Sequence, residues 1–130
     1  MFDKYLIGET GFRNVTEAGS VTGFRTEVRI TYYRGLGLSM VEGFDVSVDG
    51  VAYPREKNLF TVRGRTFTFE QMETEYNERW EMGEFATLMV PLEGGLAAGA
   101  HEVSITEHLR ISYIPVISIT RDTKTLTLQS

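Results

Sequence analysis

The side chains in this sequence that could do chemistry beyond packing are two histidines, one tryptophan, a run of glutamates and a set of tyrosines. His101 and His108 are separated by an odd number of positions. If one strand carries both, they face opposite sides, more than ~20 Å apart at roughly 3.3 Å per residue. They cannot share a metal ion. His101 stands where a turn enters a strand, and a solvated or structural role is expected for it. His108, between Glu107 and Arg110, reads as a surface residue rather than a base. Glu70-Gln71-Met72-Glu73-Thr74-Glu75 offers carboxylates but lacks the aspartate spacing and turn glycine of a calcium loop, so it reads as a solvated acidic face. No Gly-x-Ser-x-Gly elbow occurs, and Gly35-Leu36-Gly37 lacks the third glycine and the helix of a dinucleotide fingerprint. Tyr32, Tyr33, Trp80 and Tyr113 could form sugar-stacking platforms. Trp80, set among charges in Glu78-Arg79-Trp80-Glu81, reads instead as a core residue. Tyr32 and Tyr33 are adjacent, so one points away from the core and is the better contact candidate.

Composition narrows the classes. A chain of 130 residues suits one domain, 1–130, with a core that needs no staples. Without cysteine there is no disulfide framework and no thiolate zinc site. No leader and no long apolar run are read, so a cytoplasmic protein with no membrane span is expected. Thirteen basic against 18 acidic residues, net −5, argue against a nucleic-acid partner. Arg25 and Arg29 share a strand face, but Glu27 between them breaks any basic stripe.

The elements that must position these residues are nearly all strands. From Phe24 to Tyr32, Phe24, Thr26, Val28, Ile30 and Tyr32 alternate with Arg25, Glu27, Arg29 and Thr31, the period of a half-buried strand. Phe44, Val46 and Val48 alternate in the same way with Asp45, Ser47 and Asp49. The tip between them, Tyr33-Arg34-Gly35-Leu36-Gly37-Leu38, is apolar where a water-facing turn would be polar, which points to a contact surface. Gly8 to Thr22 reads as irregular. Asp49-Gly50 predicts a type I′ hairpin from Phe44–Val48 into Val51–Tyr53. Arg63-Gly64 turns Leu59–Val62 into Thr66–Phe69. Glu70 to Glu75 suits one helical turn. Asn77–Met82 and Phe85–Val90 read as a strand pair turned at Gly83. Leu96 plugs the core ahead of a long strand, Val103–Ile114, and Val116–Leu128 is the last. In Arg110-Ile111-Ser112-Tyr113-Ile114-Pro115 apolar residues fall on both faces, and Pro115 suits an edge or a bulge. Short strands at this spacing predict an all-β fold, a single antiparallel β-sandwich or jelly roll.

Several pieces of the chain carry a resemblance. Phe2-Asp3-Lys4-Tyr5-Leu6-Ile7, Gly11-Phe12-Arg13-Asn14-Val15 and Gly19-x-Val21-Thr22-Gly23-Phe24 are among them. So are Val28-Arg29-Ile30-x-Tyr32-Tyr33-Arg34-Gly35, Leu38-Ser39, Glu42-Gly43-Phe44-x-Val46 and Val48-Asp49-Gly50. Arg79-Trp80-Glu81, Gly94-Gly95-Leu96-x-x-Gly99, Arg110-Ile111-Ser112-Tyr113-Ile114-Pro115 and Asp122-Thr123-Lys124-Thr125-Leu126 extend it over nearly the whole chain. Together they resemble the small (beta) subunit of bacterial C-glycoside deglycosidases. Gly37 departs from the pattern, which has a proline between the two leucines, and this would loosen the loop.

The resemblance implies a β-sandwich subunit of a heteromeric carbon–carbon lyase, inactive in isolation. The implied partner is a large (alpha) subunit like a sugar-isomerase TIM barrel, carrying a divalent metal such as manganese. No cofactor is expected on this chain. The implied substrate is a 3-oxo-C-glucoside, of flavonoid type. Contacts with the large subunit are expected at Tyr32, Tyr33, Arg34, Gly35, Leu36 and Leu38, and at Arg110 and Tyr113. Two other classes stay open on the residues alone. One is a stand-alone carbohydrate-binding module using Tyr33 and Trp80. The other is a structural domain that self-associates through its apolar loop.

Overall fold

The structure is a computed structural model, and it describes residues 6–30, 35–74, 79–81, 84–110 and 117–129. The strands, in chain order, are β1 (Arg13–Glu17), β2 (Ser20–Arg29), β3 (Leu36–Gly37), β4 (Val41–Val48), β5 (Val51–Tyr53) and β6 (Leu59–Val62). They continue as β7 (Arg65–Thr68), β8 (Arg79–Trp80), β9 (Phe85–Pro91), β10 (Ala100–Arg110) and β11 (Ile117–Thr127). One helical turn, α1 (Phe69–Met72), is closed by a capping box between Thr68 and Gln71.

Two antiparallel sheets form the fold, ordered β1-β2-β9-β6-β7 and β11-β10-β4-β5, with a small β3-β8 ladder beside them. Alternation explains the layering. Phe24, Thr26 and Val28 of β2 and Phe44, Val46 and Val48 of β4 are all buried, while Arg25, Glu27, Asp45 and Ser47 between them are not. The two inner faces meet in one cluster of buried apolar side chains. Aromatic rings bind the layers: Phe44 of β4 stacks on Phe60 of β6 at 6.0 Å, and Phe24 of β2 meets Tyr53 of β5 edge-on at 5.4 Å. This is the all-β sandwich that the strand spacing predicts.

The turns follow their residues. Asp49 and Gly50 both have positive φ, 52° and 84°, as a type I′ hairpin requires, and Arg63 and Gly64 repeat this at 49° and 79°.

Three expectations are corrected. The two strands read in Phe24 to Gly50 are not simply joined by a tip within one sheet, because β2 and β4 belong to opposite sheets. Phe85–Pro91 does not pair with the Trp80 strand. It lies between β2 and β6 at the centre of the larger sheet, while Trp80 pairs with Leu36. Asn77, Asn77's neighbour Glu78, Met82 and Gly83 lie outside the described residues. Gly8 to Thr22 is not all irregular, since Arg13–Glu17 forms β1, hairpinned to β2 through Ala18 and Gly19 at φ 51° and 82°. Its polar, half-exposed sequence carries no alternation for an eye to find.

Candidate functional site

The apolar tip at Leu36 and Leu38 is turned inward. Leu38 is fully buried and Leu36 nearly so, both in the chain's own core. Their apolar character is therefore used for folding, and as exposed contact residues they are corrected. Leu36 pairs with Trp80, and Gly37 with Arg79. Trp80 is fully buried, with its ring 5.2 Å from that of Phe60 and its Nε1 donating to the Glu84 carbonyl at 2.8 Å. It cannot serve as a sugar platform.

A charged network braces this ladder. Arg79 donates through Nη2 to the Gly35 carbonyl at 2.9 Å and through Nε to Glu81 at 3.0 Å. Arg63 pairs with Glu84 and donates to the Arg79 carbonyl. Gly35 is pinned against Glu81, where an added Cβ would lie 2.5 Å from the carboxylate. Gly37 sits at φ −64° and ψ 149°, the conformation of a proline. The pairing with Arg79 holds it there. Tyr32, Tyr33, Arg34 and Tyr113 lie outside the described residues.

Arg110, exposed at the end of β10, donates to Glu42 at 2.6 Å. Glu42 is the extra residue of a bulge, since His108 pairs with Gly43 and Leu109 with Val41. Gly43 lets Arg55 lie flat over the bulge, where a Cβ would meet Arg55 Cδ at 2.8 Å. Arg55 thereby grips Asp45 with two bonds, 2.7 and 3.1 Å, and His108 Nε2 approaches the same carboxylate at 2.8 Å. The Arg55 guanidinium is first among the causes that hold the Asp45 carboxyl below its ordinary range, and Asp45 in turn raises Arg55. Glu42, Arg55 and His108 line an open depression of about 400 Å³ with Ile117 and Ile119. Its charges cancel in pairs, and its apolar rim, Ile119 at 63 % exposure, suits contact with another surface. His108 is thus partnered and mostly covered rather than a free surface residue.

His101 lies on the opposite face and packs edge-on against Phe12 at 6.0 Å. Its Nδ1 faces Asp49 Oδ2 and its Nε2 faces the Ala97 carbonyl, both at 2.6 Å. Two acceptors around one ring call for the doubly protonated imidazolium. The Ala97 carbonyl, then Asp49, hold its pKa above the ordinary 6.5, and Asp49 is lowered from 3.8 chiefly by His101. A group raised on folding contributes fully below its unfolded value and loses that contribution as pH rises through the folded one. The lowered Asp49 adds stability above 3.8 that fades only as pH falls below it. The melting-temperature gap between the wild type and His101→Leu is therefore expected to be widest below pH 6.5 and to narrow as pH rises above it. A gap independent of pH through that value would contradict the charged assignment.

Each histidine thus serves a local structure, one tying the β4–β5 hairpin to the loop before β10 and the other the bulge. Among the described residues, no three His, Asp or Glu side chains gather as a metal site. No helix among them is long and apolar enough to cross a membrane.

The family described as C-glycoside deglycosidase beta subunit matches residues 2–113. A C-glycoside deglycosidase beta subunit of Eubacterium cellulosolvens is 33% identical over 116 residues, 88% of this chain and 79% of that protein. One from Arthrobacter globiformis is 39% identical over 88 residues, 68% of this chain and 67% of its own. A 3′-dehydrocarminate deglycosidase beta subunit from a Microbacterium species is 33% identical over 97 residues, 73% of this chain and 71% of its own.

Proposed function

Because the chain belongs to the C-glycoside deglycosidase beta-subunit family, we propose that it is the accessory subunit of a heteromeric carbon–carbon lyase acting on 3-oxo-C-glucosides. The observation that carries the accessory role is the engagement of both histidines. His101 is held between Asp49 and Ala97 and His108 between Asp45 and Arg55, on opposite faces of one sheet. Neither is placed to share a substrate with the other. The base, and the divalent metal that would stabilise an enolate, are accordingly assigned to a large barrel subunit.

The chemistry sets what that partner must do. A carbon–carbon glycosidic bond has no bridging oxygen to protonate, so the two-carboxylate route of O-glycosidases is closed. A ketone at C3 acidifies the C2 proton. A base removes that proton, and the electron pair expels the aglycone carbon from C1. The aglycone carbon takes up a proton, and an unsaturated keto sugar remains.

This chain supports the barrel and shapes the aglycone side of its mouth. The contact runs over the end of the sandwich where the braced Gly35 and the Arg110–Glu42 pair stand. Tyr32, Tyr33, Arg34 and Tyr113 are proposed as its contact side chains. Co-expression with a barrel-type partner, purified through a tag on this chain, tests the reading. Co-elution is expected, with metal-dependent cleavage of a 3-oxo-C-glucoside that neither chain performs alone. Elution of this chain by itself, beside a barrel protein that is fully active without it, would refute it. Tyr33→Ala and Arg34→Ala are expected to weaken assembly or turnover without unfolding the domain, and unchanged co-purification and turnover in both would remove the loop from the interface.

A further inference from the structure

The edges of the two sheets differ in how they are protected. β5 has three residues and runs into Pro54. β7 has four residues, and β1 is broken by a bulge at Val15/Thr16. Short, bulged or proline-bounded edges resist pairing with another chain. β11 has none of these features. Its 11 residues pair with β10 in unbroken register.

The register shows which groups are open. Leu128 N donates to the Gly99 carbonyl at 2.9 Å, on the β10 side. Even-numbered residues of β11 therefore turn their N–H and C=O toward β10, and odd-numbered ones turn theirs outward. At Gln129 the outward N–H is taken by the Phe12 carbonyl at 2.8 Å, where Arg13 bridges in parallel. From Ile117 to Thr127, no backbone group of the described residues takes the others. The odd side chains, Ile117, Ile119, Arg121, Thr123, Thr125 and Thr127, are exposed on the outer face, and Arg121 alone among them is charged. Asp122 and Lys124 do not guard this edge. They point inward, Asp122 accepting from Ile7 N at 3.1 Å and Lys124 donating to the Ile7 carbonyl at 2.6 Å. An open groove of about 990 Å³ runs beside Lys124–Gln129, with Glu9 and Arg13 on its far wall.

We propose that two copies of this chain join edge to edge through β11, antiparallel about a two-fold axis at Asp122. The two four-stranded sheets become one continuous sheet. In this register Ile117 faces Thr127 of the second copy, Ile119 faces Thr125, and Arg121 faces Thr123. Odd residues face odd residues, so outward groups meet outward groups in the hydrogen-bonded antiparallel pattern, and the even residues face each other as the non-hydrogen-bonded pairs between them. The isoleucines oppose β-branched threonines, a favourable cross-strand pairing. Centring the axis on Arg121 would set two exposed guanidinium groups against each other. The two Asp122 carboxylates that meet at the chosen axis are instead turned inward, each with Lys124 Nζ at 3.5 Å and the Ile7 N–H at 3.1 Å. Centring between residues would pair outward groups with inward ones. The groove beside Lys124–Gln129 leaves room for the first half of the other β11. The interface is isologous and closes at two copies, so the assembly contains beta subunits in pairs.

Light scattering on the full chain, and on the complex purified with its large subunit, tests this. The expected mass of the chain is twice 14.7 kDa, with beta subunits paired in the complex. Thr123→Pro removes one outward N–H and leaves the β10 ladder intact, and it is expected to halve the mass with an unchanged circular dichroism spectrum. If that variant fails to fold, amide exchange on the wild type decides. Protection of odd-numbered β11 amides matching that of even-numbered ones supports pairing, and fast exchange of the odd ones overturns it. A wild-type chain of 14.7 kDa, with one beta subunit per complex, overturns the proposal, as does a folded Thr123→Pro variant that keeps the doubled mass.

Discussion

Trp80→Ala is expected to lower the stability of this domain by about 3–5 kcal/mol and its melting temperature by roughly 10–15 °C. The indole is fully buried, with its ring about as close to Phe44 of one sheet (6.0 Å) as to Phe60 of the other (5.2 Å). Removing it opens a cavity at the junction of both layers and the β3-β8 ladder, where rigid strands cannot collapse to fill the space. It also leaves the Glu84 carbonyl without its indole donor. A domain of this size has only about 5–15 kcal/mol to lose. Because Trp80 pairs with Leu36, next to Gly35, the damage should reach the proposed contact end, and co-purification with the large subunit should fall as well. Calorimetry measures the first effect. A melting temperature within a few degrees of wild type would show that the ring is not the keystone argued here.

Gly23→Ala is the second large loss, expected at about 1–3 kcal/mol or more. Gly23 lies in β2 between Val15 of β1 and Pro91 of β9. A Cβ there would overlap the Val90 carbonyl and stand 3.0 Å from Met89 Cε and 3.1 Å from Pro91 Cα. Two of these three obstacles are backbone of a central strand, which cannot turn aside as a side chain does. Gly64→Ala is the control. It meets open space and loses only the left-handed preference at φ +79°, about 1 kcal/mol. Chemical denaturation of both variants should rank Gly23→Ala clearly below Gly64→Ala. The reverse order would mean that β2 and β9 part easily and that the larger sheet is softer than its register implies.

Much of the fold was legible in the residues. Phe24 to Ile30 and Phe44 to Val48 announce their faces through a period of two, and Asp49-Gly50 and Arg63-Gly64 announce their turns through the positive φ they tolerate. Trp80 was readable as core because a single aromatic among charges on a strand has one inward direction. β1 was not legible. Its edge position demands no apolar face, so its sequence resembles a loop. The pairing of Trp80 with Leu36 was not legible either, since short ladders between distant segments leave no local pattern.

The contact site was legible only in part. Arg110 was named for its place in the chain, and it is exposed and paired with Glu42. Leu36 and Leu38 were named because apolar residues in a tip suggest a surface. They were misread because the connection crosses from one sheet to the other, and its leucines pass through the core on the way. The cluster of Asp45, Arg55 and His108 had no sequence signal except Glu42-Gly43, a glycine where a bulge could form. Its members come from three separated stretches.

By itself, the sequence determined the family, the strand-rich class, the alternating faces and the hairpin turns. These follow from local backbone preference and from a pattern of burial that each segment carries within itself. Only the tertiary structure decided that β2 and β4 face each other across the core, that both histidines are held by aspartates, and that no strand among the described residues covers the outer edge of β11. Those depend on which segments become neighbours, and no residue encodes its neighbour without the rest of the chain folded around it.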